Sequence, residues 1–569
     1  MNLLWALGIA LTTYTVALYL GRTLRHRQLL KQTCVLDIDS LGLRLPREKM
    51  KGTAVICGGS IGGLLAARIC HDHFDKVVIV EPEAWMNSED AIRVDAWNQE
   101  SKRSRIMQYE SLHVVLAMGY KVMQKLFTDI EEKCYASSIK VGPNDTHARM
   151  WGNVPRLPYA EYGGSLPKTF CAGRAGFETF LRRLVLGGDY KHIRQVIDTV
   201  TGVSQSAHNP GYLDGISVRT PEGIQNISAT LVVDCTGPAA AGLKWLRREG
   251  YGFVDTYTKN QLPLDQLRIA YDQKLQYSTL KFHVPPELGR KIPGLSLPYD
   301  ECGYIYCLST DPDKDHRNVY SQRIDGNFIQ LCFSTMGEYE LPKTLEEGKA
   351  FVRSLITEKP IPETFFVMLD MLDEVTDTMT YSHVRYPGSS YIRYEKAVNL
   401  PSNWVLWVIV QGCSKAFFGA VCLNKLLMNS TAIPKDFSKK YFSDHAEKIK
   451  PLCRSKPVII PSRRQLPLPG ETLSHGSWIR WYMKKLVVLS FTDEQAGSAV
   501  WHVRTLLAPS IDAFQLGLVL KVFWSLIKGT SGNSCGSRMN LVFNFDAVGF
   551  KPYILSGATY SNLYAGNPN

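Results

Sequence analysis

"GTAVICGGSIGGLLAARICHDHFDKVVIVEPE", residues 52–83, contains two apolar runs separated by a glycine-rich turn and a helical pattern. Ala54 to Cys57 reads as a short buried strand, Leu64 to Cys70 as a helix, and Val77 to Val80 as a second strand ending in Glu81. Gly58 permits the tight turn after the first strand. Ser60 is small enough for backbone to approach a diphosphate, and Gly63 lets helix and strand pack closely. Glu81 stands where a carboxylate accepts hydrogen bonds from an adenosine ribose. A lone Gly-rich turn would say little; strand, turn, helix, strand and terminal acid in order predict a dinucleotide site.

The rest of the chain bounds that reading. At 569 residues it is too long for one simple core, and its 45% hydrophobic and 21% charged residues are ordinary for a globular protein. The net charge of +12 suits anionic lipid or an anionic cofactor. No basic run interleaved with aromatics points to nucleic acid. The 13 cysteines form no CxxC pair or Cys/His cluster at zinc spacing, so no metal is expected. No GxSxG, HExxH or Cys/His signature marks a catalytic side chain, and the catalytic residues stay unassigned.

Residues 3–20, "LLWALGIALTTYTVALYL", carry no charge, and Arg22, Arg25, His26, Arg27 and Lys31 follow. This predicts a single-pass transmembrane helix over 1–21 and a basic linker over 22–50. The catalytic part would then face the cytosol, with the endoplasmic reticulum as the expected membrane. From 265 to 375, "YSTLKFHVP", "CGYIYCLST", "NVYSQRIDG" and "NFIQLCFSTMG" predict an antiparallel sheet inserted into the nucleotide-binding fold. That insertion divides the fold into a first part, 51–264, and a return segment, 376–435. The region 436–528 reads as helices, either a small bundle or interfacial, and 529–569 as a loosely ordered tail.

Three further stretches carry a family resemblance. They are "RSRIMQYESLHVVL" (103–116), "AGRAGFETFLRRLV" (172–185) and "ISATLVVDCTGPAAAG" (227–242). With the first motif, they make the chain similar to flavoprotein monooxygenases with a single Rossmann-type domain, most closely fungal members of secondary metabolism. The resemblance implies FAD as cofactor, with Arg105, Gln108 and Arg174 near it and Asp234 and Gly237 under its adenosine half. It further implies NADPH or NADH as a transient co-substrate, O2 as oxidant, and a small apolar aromatic, terpenoid or polyketide substrate beneath the inserted sheet. From the residues alone, Arg174, Arg182 and Arg183 equally suit the exposed side of a helix whose apolar face is Phe177, Phe180, Leu181 and Leu184. Asp234 equally suits a turn cap.

"WVIVQGCSKAFFGAVCLNKLL" (407–427) departs from the family. Gln411 and Gly412 are retained before the last long helix, and the resemblance places Gly412 near the cofactor. The Gly-Asp and proline-bearing loop that should precede them are absent. Either a loop is missing from the recorded sequence, or flavin binding is lost. A flavin-dependent reductase on the same fold is a further alternative.

Overall fold

The computed structural model describes residues 2–530 apart from 45–47, 107, 272–273, 296, 387, 408–413, 429, 460–473 and 475. The chain opens with helix α1 (Asn2–Gln32). Strand β1 (Met50–Cys57), helix α2 (Ile61–His73) and strand β2 (Phe74–Glu81) then realise the quoted motif. Helix α3 (Arg174–Leu186) precedes β3 (Ile193–Ile197) and β4 (Leu231–Asp234). The second sheet takes β5 (Leu275–His283), β6 (Tyr304–Ser309), β7 (Arg317–Arg323), β8 (Phe328–Met336) and β9 (Thr380–Arg385). Strand β10 (Trp404–Leu406) and helix α4 (Ser414–Leu427) return to the first domain. Helices α5 (Phe437–Ile459), α6 (Ser477–Leu489), α7 (Glu494–Arg504) and α8 (Leu516–Thr530) follow.

The first sheet is parallel, in the order β10-β4-β1-β2-β3. Its inner strands are apolar runs because α2 packs on them and an antiparallel three-stranded sheet, 199–228, packs against β2 and β4; Ala54 to Cys57 and Leu231 to Val233 are buried. From β1 the chain goes outward one way through β2 and β3, and the other way through β4 and β10. The strand order therefore reverses at β1. The crevice beyond the carboxyl ends of strands at such a point is where ligands of this architecture bind. Cys57 pairs in register with Asp234 and Val80, so that crevice opens at Gly58.

The second sheet has the order β9-β5-β8-β7-β6, extended by Ala148–Met150 parallel to β6. The four sequence runs are β5 to β8, and their pairings are antiparallel. One face, with Leu280, Phe282, Leu331, Phe333 and Val319, packs on helices over 345–378. The other face turns toward the segment 108–113. Period-two alternation produces this division: apolar residues face the helices, while Tyr277, Tyr320, Gln322 and Gln330 face the first domain.

The N-terminal helix requires a correction. Among the described residues, no helix is long and apolar enough to cross a membrane. Thr12, Thr13 and Thr15 interrupt the apolar run, and α1 continues unbroken through the basic segment that should be a linker. Its far end is held by protein. Arg25 pairs with Asp512 at 2.7 Å, and buried Lys448 donates to the carbonyls of Leu30 and Thr33 at 2.8 and 2.9 Å. Helices α6 to α8 enclose a small core of their own around Tyr482, Leu486, Val500, Leu518 and Val522. The tail from 531 onward lies outside the described residues.

Candidate cofactor-binding site

The turn between β1 and α2 depends on absent side chains. Gly58 has φ +111°, and a β-carbon there would lie 2.6 Å from the carbonyl oxygen of Cys235. A β-carbon on Gly63 would lie 1.8 Å from the Gly58 carbonyl, so helix and strand touch only because it is missing. Ser60 begins α2 but its hydroxyl does not cap it, and the first turn holds no acid. Among the described residues the first-turn N–H groups thus have no side-chain acceptor, as a site for an anion requires. Gly58 and Ser60 are half-buried, leaving the rim of the turn accessible.

Beneath this turn lies a dense cluster of charge. Glu81 is buried and accepts from the Gly59 N–H at 2.8 Å and the Glu83 N–H at 3.2 Å. Ser60 Oγ donates to Glu178 at 2.8 Å and accepts from Arg174 at 2.8 Å. Glu178 also meets Arg103 at 2.6 Å and Arg174 at 2.5 Å. Arg103 reaches Glu83 at 2.8 Å and Glu81 at 3.3 Å. Arg182 donates to the Gly59 carbonyl and to Gln195. Burial pushes the Glu178 carboxyl up, but Arg174, Arg103 and Arg182, with the Ser60 hydroxyl, outweigh it and hold the group at about 2. Burial lowers Arg182 to about 10, although Glu178 and Glu81 favour its charge.

The structure sorts the sequence-derived residues. Gly58, Ser60, Gly63, Glu81 and Arg174 converge on the turn. Glu81 serves chiefly as its clamp, with its oxygens already taken by protein donors. Arg105 is exposed, and only its backbone N–H approaches Glu83, at 3.4 Å. The neighbouring Arg103 enters the cluster instead. Arg182 is fully buried, which excludes it from an exposed helix face. Asp234 is fully buried and accepts from Thr236 N and Oγ1 at 2.9 and 2.7 Å and from Gly242 N at 3.1 Å. It caps the turn after β4, and burial raises its carboxyl above the usual range despite those donors. Gly237 lies in that turn at φ +67°. Gln108 donates to the Tyr277 hydroxyl and so joins the cluster's segment to the second sheet. Gly412 lies outside the described residues.

Glu178, Arg103 and Arg182 were missed as site residues. Each stands inside a stretch already quoted, but only the fold brings position 103 against position 178.

The donor set fits the diphosphate half of a dinucleotide: an uncapped helix start, a turn intolerant of side chains, and Arg174 beside Ser60. Arg174 Nη1 pairs with Glu178 at 2.5 Å and its Nη2 donates to Ser60 Oγ, so this guanidinium braces the turn and leaves the first-turn amides of α2 to meet the anion.

No protein-family model matches the chain. Protein Rv3254 of Mycobacterium tuberculosis (strain ATCC 25618 / H37Rv) is 23% identical over 369 residues, covering 62% of this chain. The match spans 66% of that relative, just under two thirds of its length. Among solved structures, flavin-dependent brominase Bmp2 aligns with TM-score 0.47 and 10% identity, over 85% of this chain and 100% of its own. PqsL of P. aeruginosa, in complex with 2-aminobenzoylacetate, aligns at 0.45 and 13%, over 79% and 99%. The 2-methyl-3-hydroxypyridine-5-carboxylic acid oxygenase aligns at 0.44 and 12%, over 73% and 94%.

Proposed function

We propose that the chain is an FAD-dependent monooxygenase that transfers one oxygen of O2 to a small, largely apolar organic molecule, with NADPH or NADH as electron donor. The observation that carries this reading is the uncapped start of α2 behind Gly58–Gly63, with Arg174 poised beside it. The first-turn amides would hold the diphosphate of FAD, Arg174 braces Ser60 beside them, and Glu81 fixes the turn that presents those amides. When bound, FAD would supply the electron transfer and O2 activation that no side chain offers.

The second sheet supports a substrate with a polar handle. Gln322 and Gln330 are direct cross-strand partners. Their amide nitrogens donate to the carbonyls of His113 and Glu110 at 3.2 and 3.3 Å. Both amide oxygens are buried, and neither has a donor among the described residues. A hydroxyl or N–H on the substrate would satisfy them, beside the aromatic rings of Tyr277 and Tyr320.

The test is a visible spectrum of the purified chain with and without added FAD, followed by O2 consumption with NADPH and candidate substrates. Flavin bands and substrate-dependent O2 uptake are expected. Reduction without O2 uptake would indicate a reductase. The missing Gly-Asp before Gln411 favours a second reading, a relative without flavin, and absent bands at saturating FAD would establish it.

A further inference from the structure

The faces of α6 and α8 that look away from the core are apolar, aromatic and free of carboxylates. On α8, Leu516, Leu520, Phe523, Trp524 and Ile527 recur at helical spacing, with Leu516 66% and Ile527 61% exposed. On α6, Trp478, Ile479 and Trp481 are exposed, and the Trp481 ring lies 6.0 Å from that of Phe523, so the two faces are continuous. The first part of α1 is exposed all round, with Trp5 at 70% and Leu11, on another side, at 67%. The Arg25–Asp512 ion pair, with Gln32 accepting from the Ser510 N–H at 2.9 Å, fastens α1 to the turn leading into α8.

Charge says what covers this surface. None of the 31, 13 and 15 residues of α1, α6 and α8 is Asp or Glu. Arg22, His26, Arg27 and Lys31 are exposed beside the apolar run of α1. Lys484 and Lys521 turn back to Asp311 and Asp313 and to Asp493, which fixes the helices that present the patch. A soluble partner or a second copy meeting so basic a face would need acidic residues, and this chain's own copy of the face has none. Apolar residues, interfacial tryptophans and a basic margin without acids match the headgroup region of an anionic bilayer.

We infer that α6 and α8, with the basic end of α1 beside them, form a docking surface that lies in the plane of an anionic lipid membrane without crossing it. The surface gives the protein a route to apolar molecules dissolved in the bilayer. It stands independently of the flavin reading.

The test is flotation of the full chain with phosphatidylcholine vesicles, with and without phosphatidylserine. Flotation with the anionic vesicles is expected, and at least about tenfold less with the neutral ones. Alkaline carbonate should release the bound chain. Leu516→Ser with Leu520→Ser should abolish flotation, and Arg27→Glu with Lys31→Glu should weaken it about tenfold, all with unchanged circular dichroism. Failure to float with anionic vesicles would overturn the proposal. So would flotation indifferent to these substitutions, retention after carbonate (a spanning helix), or patch-dependent dimerisation without lipid binding.

Discussion

Arg103 and Glu178, 75 residues apart in the chain, meet at 2.6 Å beneath the glycine turn, with both side chains almost wholly buried. The carboxylate is shared with Arg174 and lies 3.9 Å from Arg182, so one acid touches three guanidinium groups, while Glu81 and Glu83 add to the balance at Arg103. Buried charge is tolerated only when compensated in this way.

Glu178→Ala leaves those cations without their shared partner. A loss of about 3–5 kcal/mol is expected in urea unfolding. Arg105→Ala, on an exposed side chain, should change stability by no more than about 0.5 kcal/mol. The reverse ranking would remove Arg103 and Glu178 from the centre of the site.

Ser60→Ala and Asp234→Ala separate cofactor binding from folding. Removing the Ser60 hydroxyl should weaken FAD about tenfold in a fluorescence titration, at a folding cost of about 1 kcal/mol for its two hydrogen bonds to Glu178 and Arg174. Removing Asp234 orphans three donors, and a cost of about 2–3 kcal/mol is expected in thermal unfolding with FAD affinity within about twofold. Equal effects on both readouts would merge the two roles.

Acid should weaken the fold well above the carboxylate range. Burial lowers His73, His113 and His502 from 6.5 to about 4 each. The unfolded chain binds those protons first, so the stabilisation is complete above about pH 6.5 and is lost as pH falls toward 4. Glu178, held at about 2, adds a loss that begins near its unfolded value and continues downward. Melting temperatures between pH 7.5 and 5 should therefore decline, and His113→Asn should flatten the decline.

Gln330→Leu removes one of the two unsatisfied amide oxygens and the hydrogen bond to the Glu110 carbonyl. For a substrate carrying a hydroxyl or N–H, KM should rise about tenfold, while a methylated analogue should change little. Equal effects on both substrates would show that the glutamines only hold the 108–113 segment.

Much of this could be read locally. The strand–turn–helix–strand unit of 52–83 and the strands β5 to β8 announce themselves through periodicity and through glycines at defined points. Those are properties of neighbouring residues, and neighbouring residues are what a sequence displays. Ser60 and Arg174 were legible for the same reason, since each lies at a helix start whose backbone geometry is local.

Other features needed the whole fold. Arg103 and Arg105 are chemically alike and two residues apart, and only the packing of 103–116 against α3 sends the first inward and the second to solvent. Asp234 reads equally as a ligand or a cap until Gly242 N–H is found on its oxygen. Strand Ala148–Met150 joins the second sheet from more than a hundred residues upstream of most of its partners. The sequence by itself determined the elements, the glycine turn and the alternation that gives each sheet its two faces. The tertiary structure alone decided which charges are buried together, because desolvation and Coulomb energy depend on distance in space and not on separation along the chain.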